Sequence, residues 1–87
     1  MRTTRSTRAM TPEELGKLQE AIVRAKGYAK ETPDLFVYPN KLREFMFDAF
    51  GPLDFEQIKG KSGEPKVRFT RQTPDADGKH MQGELTF

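Results

Sequence analysis

VRFTRQTPDADGKHMQGELTF, residues 67–87, is the stretch on which the rest of the chain is read. Val67 and Phe69 alternate with Arg68 and Thr70, while Met81, Leu85 and Phe87 alternate with His80, Gln82, Glu84 and Thr86. Alternation with period two on both sides of a Pro/Asp/Gly-rich centre predicts an antiparallel hairpin with one apolar face. Both apolar sets are odd-numbered, so paired residues must have numbers of equal parity for the two sets to share that face. A two-residue Asp77-Gly78 turn breaks this rule. A three-residue loop of Ala76-Asp77-Gly78, with Gly78 left-handed, keeps it. The expected pairs are Val67–Phe87, Phe69–Leu85, Arg71–Gly83 and Thr73–Met81 on the apolar face. Arg68–Thr86, Thr70–Glu84 and Gln72–Gln82 follow on the polar face, so Lys66 and Arg68 project away from the core. If residues 81–87 run along the edge of the sheet, their unpaired backbone groups can accept a strand from another chain.

Upstream of the hairpin the pattern turns helical. Thr11-Pro12-Glu13-Glu14 combines a hydroxyl at the N-cap, proline at the first helical position and glutamate at the third, which is a capping box. Leu15, Leu18, Ala21, Ile22, Ala25 and Ala29 then recur with a 3.6-residue period, predicting a helix over 12–30 whose last turn Gly27 weakens. Leu35-Phe36-Val37-Tyr38, bounded by Pro33 and Pro39, reads as a short buried strand or an extended loop across the core. Asn40 is the expected cap of a second helix, in which Leu42, Phe45, Met46, Ala49 and Phe50 share a face. Gly51-Pro52 ends it. Phe47 falls off that face, which buries it on a second side or shows it to a partner. Residues 53–59 fit a strand or a helical turn, and the strand reading is preferred.

Residues 1–10, MRTTRSTRAM, carry no apolar period and read as a disordered basic arm. The expected organisation is therefore that arm followed by a single small α+β domain over 11–87. In it, two helices pack on a small antiparallel sheet that ends in the C-terminal β-hairpin. The chain has 87 residues, of which 34% are apolar, and its seven Phe carry much of the apolar area. That predicts a thin core, which a homodimer would extend. Cysteine is absent, which excludes disulfides and thiolate metal sites. No stretch reaches the length of a membrane span and the start lacks the apolar run of a signal peptide, so a soluble, cytoplasmic protein is expected.

Catalytic equipment is sparse. His80 is the sole histidine, and a triad would have to recruit Ser6 or Ser62. His80 with Arg71 and Glu84 would suit RNA cleavage, but in the expected register Arg71 points away from the other two. Asp75-Ala76-Asp77-Gly78 lacks the ligand spacing of a calcium loop, and Gly60-Lys61-Ser62 lacks the upstream glycine of a phosphate loop. Hence no catalytic, metal or cofactor-binding residue is assigned, and no enzyme is expected.

Two binding readings remain. The formal charge is +2, unevenly spread: three Arg and no acid in residues 1–10, then two basic against five acidic residues in 32–58. A nucleic-acid ligand would meet Arg2, Arg5 and Arg8 on the arm and Lys59, Lys61, Lys66, Arg68 and Arg71 around the hairpin. The polar sheet face, however, offers no ring for base stacking. A protein ligand would meet Phe36, Tyr38, Glu44, Phe47 and Asp48, or the strand edge at Glu84. The preferred expectation is a non-catalytic protein-binding module, such as an inhibitor, adaptor or accessory subunit, with nucleic-acid binding as the alternative.

Overall fold

The computed structural model describes residues 5–86. It is an α+β fold with two helices and a four-stranded mixed sheet. In chain order the elements are β1 (Thr7–Ala9), α1 (Pro12–Lys30), α2 (Val37–Phe50), β2 (Leu53–Lys59), β3 (Pro65–Arg71) and β4 (His80–Thr86). They group into two compact units, one of residues 11–51 and one of residues from 52 onward together with β1.

In the helical unit, α1 starts at the predicted capping box. Thr11 Oγ1 accepts from the Glu14 amide at 3.2 Å, and the Glu14 carboxylate accepts from the Thr11 amide at 2.9 Å. The helix continues through Gly27 to Lys30, burying Leu18, Ala21 and Ala25. α2 packs against it in antiparallel fashion and buries Leu42, Phe45, Met46 and Phe50. The Tyr28 and Phe45 rings lie 5.7 Å apart, with the Arg24 guanidinium 4.2 Å over Phe45 and Lys41 Nζ 4.7 Å over Tyr28. Cations over ring faces hold the partly open side of this small core.

The reading of 35–38 as extended is corrected here. Val37 and Tyr38 form the first turn of α2, while Leu35 and Phe36 precede it in a turn and are exposed. Pro39 falls at the third helical position, where an amide has no intrahelical acceptor to lose. The N-cap is Phe36 rather than Asn40 and has no side-chain cap, but Asp34 closes the turn before it: its Oδ1 accepts from the Phe36 amide at 2.9 Å and its carbonyl from the Val37 amide at 3.3 Å. Gly51 closes the helix at φ 80°, donating its amide to the Phe47 carbonyl at 2.7 Å.

In the sheet unit the strand order is β1-β4-β3-β2, with β1 parallel to β4 and the other pairs antiparallel. Residues 53–59 are a strand in unbroken register with β3. The hairpin keeps the predicted faces but not the predicted pairs. Phe69 lies opposite Gly83 rather than Leu85, and Val67 opposite Leu85. The turn itself forms as expected: the Asp75 amide donates to the Lys79 carbonyl at 2.9 Å, and Gly78 takes φ 75°. The shift arises between turn and strand, where Thr73 and Pro74 step out of the ladder. Proline has no amide to give it. Two residues are an even number, so Phe69, Met81 and Leu85 remain together on the buried face.

Two further expectations change. Thr7–Ala9, expected within a disordered arm, form β1 and pair with His80–Gln82. β4 consequently lies between β3 and β1, so residues 80–82 present no free edge. The long strand at the sheet margin is β2.

Candidate functional site

The arginines of the basic arm are engaged by the sheet unit. Arg5 donates to Asp54 at 2.6 Å, and the other Asp54 oxygen accepts from Gln72 Nε2 at 2.8 Å. These hydrogen bonds, Arg5 first, hold the Asp54 carboxyl below the ordinary aspartate range. Arg8 Nε donates to Asp75 at 2.8 Å. Asp75 is likewise lowered, by Arg8 first and then by the backbone amides of Lys79 and Asp77. Between the two pairs, the Ser6 carbonyl accepts the His80 amide at 2.7 Å. Single exposed ion pairs stabilise little. Here they flank a backbone ladder and fix where the segment lies. Arg2 lies outside the described residues.

The polar face of the sheet balances its own charges. Arg68 reaches Glu84 at 3.5 Å and Lys66 reaches it at 3.8 Å. Gln82 donates to Thr70 at 3.2 Å in the next row. Glu84 is therefore an anchor for two cations, and it lies beyond the three residues of β4 that β1 covers. Arg71 lies half-buried on the opposite face, its Nε enclosed without a hydrogen-bond partner among the described residues. Lys59 and Lys61 are exposed at one end of the β2–β3 pair. The seven described basic residues among those singled out by sequence thus do not converge on one surface.

His80 Nδ1 lies 2.8 Å from the Arg71 carbonyl and, facing an acceptor, carries the proton there. It joins β4 to the end of β3. Among the described residues no group of three or more His, Asp or Glu side chains could hold a metal ion. No helix among them is long and apolar enough to cross a membrane.

The exposed side of α2 is different in kind. Successive helical residues advance by about 100°, so Phe36 and Phe47, eleven positions apart, fall within roughly 20° of one another. They are 70% and 58% exposed and three turns apart, with Asn40 and the charged Arg43 between them on the same stripe. Leu35, 88% exposed, lies in the turn just before the helix. Glu44 borders one side, while Asp48 lies further round, in the groove it lines with Lys17, Glu20 and Arg24 of α1. Glu44 shares its charge with Lys41 at 3.4 Å, and Asp48 makes no ion pair among the described residues. Phe36, Glu44 and Phe47 are thus brought together, and Asp48 faces the α1 side instead. Tyr38 is not among them: it lies on the far side of α2, half-buried, and burial raises its phenol pKa. Leu35 and Asn40 were missed by sequence, because the helix was placed after Pro39 and the stripe lacked its first turn.

No protein family matches the chain, and neither a curated protein nor a solved structure does. The geometry of the α2 face and of the sheet margin is what bears on function.

Proposed function

We propose that the chain is a non-catalytic protein-binding module that presents the exposed face of α2 to an apolar groove on its partner. The observation that carries this reading is the line of Phe36 and Phe47 on one helix face, both more than half exposed. Amphipathic helices are taken up in grooves through anchors spaced by whole turns, and aromatic anchors supply most of the binding energy. Glu44 along one border calls for a basic side chain on the matching rim of the groove, and Arg43 between the rings calls for an acidic or polar one. Nucleic acid is the less favoured ligand, because Arg5, Arg8, Lys66 and Arg68 are already spent on carboxylates of the same chain.

The test is capture from native lysate by the wild-type chain and by the Phe36→Ser/Phe47→Ser variant, each with and without nuclease. The expected result is a protein held by the wild type regardless of nuclease and weakened about 30-fold or more in the variant. Loss of even one aromatic anchor at ~2 kcal/mol sets that floor. Equal capture by the variant refutes the helix face, and nuclease-sensitive capture refutes a protein partner.

A further inference from the structure

We propose that the free edge of β2 accepts an extended basic segment of another protein as a fifth strand of the sheet. This surface is separate from the α2 face and does not depend on it. β2 runs for seven residues, Leu53–Lys59, with every residue in register with β3 and no proline or bulge. Among the described residues no strand pairs with its other side. Sheet edges are commonly guarded by shortness, by proline, by a bulge or by lysine. β1, the opposite margin, is only three residues long. β2 has none of these guards except Lys59 at its last position.

The side chains along β2 specify the occupant. Asp54, Glu56 and Ile58 share the face of Arg68, while Leu53, Phe55, Gln57 and Lys59 share the face of Phe69. Asp54 is occupied by Arg5 and Gln72. Glu56 lies opposite Arg68, but the Arg68 guanidinium reaches across to Glu84, and Glu56 is exposed without an ion pair among the described residues. A strand entering this edge therefore meets an open carboxylate on one face and the half-exposed ring of Phe55, 42% accessible, on the other. Alternating basic and apolar side chains answer both at once. A second copy of this chain answers them badly. The antiparallel two-fold register that pairs all seven residues sets Glu56 against Glu56, and like charges directly opposite are destabilising. A groove of about 620 Å³ at the far end of the pair, lined by Gln57, Ile58, Lys59, Pro65, Lys66 and Val67, gives room there for an apolar or acidic end of the segment.

The probe is a nine-residue peptide alternating lysine and valine, blocked at both ends, followed by amide exchange and chemical shifts on the full chain. Binding should slow exchange at alternate amides within 53–59. Glu56→Lys should weaken it about ten-fold, from one lost attraction and one added repulsion, and Glu56→Gln less. The same peptide with glutamate for lysine should not bind, and Phe36→Ser/Phe47→Ser should leave affinity unchanged. The proposal fails if no amide in 53–59 is protected, or if Glu56→Lys binds as the wild type does. It fails equally if the glutamate peptide binds as well, or if protection rises with protein concentration in the absence of peptide. Shifts confined to α2 would also overturn it.

Discussion

Gly83→Ala puts the observed hairpin register at risk in a single methyl group. Gly83 lies directly across from Phe69, and a Cβ at that position would come 2.6 Å from Phe69 Cζ, 3.1 Å from Cε2 and 2.7 Å from Met10 Sδ. Carbon atoms in contact normally sit about 3.5–4.0 Å apart, so the methyl overlaps the ring edge by roughly 1 Å. The Met10 thioether is the end of a flexible chain and can swing aside. The Phe69 ring has 0% exposure and has nowhere to go. Overpacking of this kind costs about 1–3 kcal/mol, and the lower chain entropy of alanine offsets about 0.5–1 kcal/mol of it. The net loss is about 1–2 kcal/mol. In urea titration, with a slope of ~1 kcal/mol/M, the midpoint should fall by about 1–2 M. On a Phe69→Leu background, which removes the offending ring edge, the same glycine substitution should cost less. Propensity alone gives the opposite sign, since alanine suits a strand better than glycine. A Gly83→Ala midpoint equal to or above the wild type would therefore refute the pairing of Phe69 with Gly83.

Three further outcomes follow from the same contacts. Thr11→Ala removes half of the capping box and should cost about 1 kcal/mol, read as a lower urea midpoint, whereas Thr11→Ser should be near neutral. Asp54 and Asp75 have folded pKa values depressed by their arginine and amide donors. The stabilisation they give is complete above the unfolded-chain value of about 3.9 and is lost as pH falls through the lower folded values. Protection factors at Thr7–Ala9 should accordingly hold steady above about pH 5 and drop on acidification below it, with a smaller drop in Asp75→Asn; protection indifferent to pH would count against the two clasps. Phe36→Ser/Phe47→Ser should leave the unfolding free energy from urea titration within about 0.5 kcal/mol of the wild type, because exposed side chains carry little folding energy.

The parts of the fold that sequence revealed are those held by local chemistry. α1 was legible because Thr11, Pro12 and Glu14 mark its start and its apolar period is unbroken. The faces of the hairpin were legible because parity survives any even shift of register. The pairs were not, since the local turn at Asp75–Lys79 is correct while Pro74 displaces the strand leading into it. Pro39 misled in the opposite way: taken as a boundary, it sits inside the first turn of α2, where the missing amide costs nothing. β1 gave no signal at all. Three residues with no apolar alternation pair in parallel with a strand some seventy positions away, and nothing near them in sequence announces it. The same gap explains the arginines, whose spacing suggested a polyanion while their acceptors, Asp54 and Asp75, lie far along the chain. Phe36, Glu44 and Phe47 could be picked out as unabsorbed by a core face, but their alignment needed the true start of α2.

Thr7–Ala9 of the basic segment form a strand of the sheet, and the partner surfaces proposed above are the margin at β2 and the exposed face of α2. Nuclear Overhauser contacts in the uncomplexed full chain test that strand most directly. The account predicts backbone contacts of Arg8 with Met81 and Gln82, in the parallel pattern, together with Phe69 ring contacts to Gly83. Sharp, contact-free resonances from Thr7 to Ala9, or a Phe69 ring placed against Leu85 as its cross-strand neighbour, would contradict it.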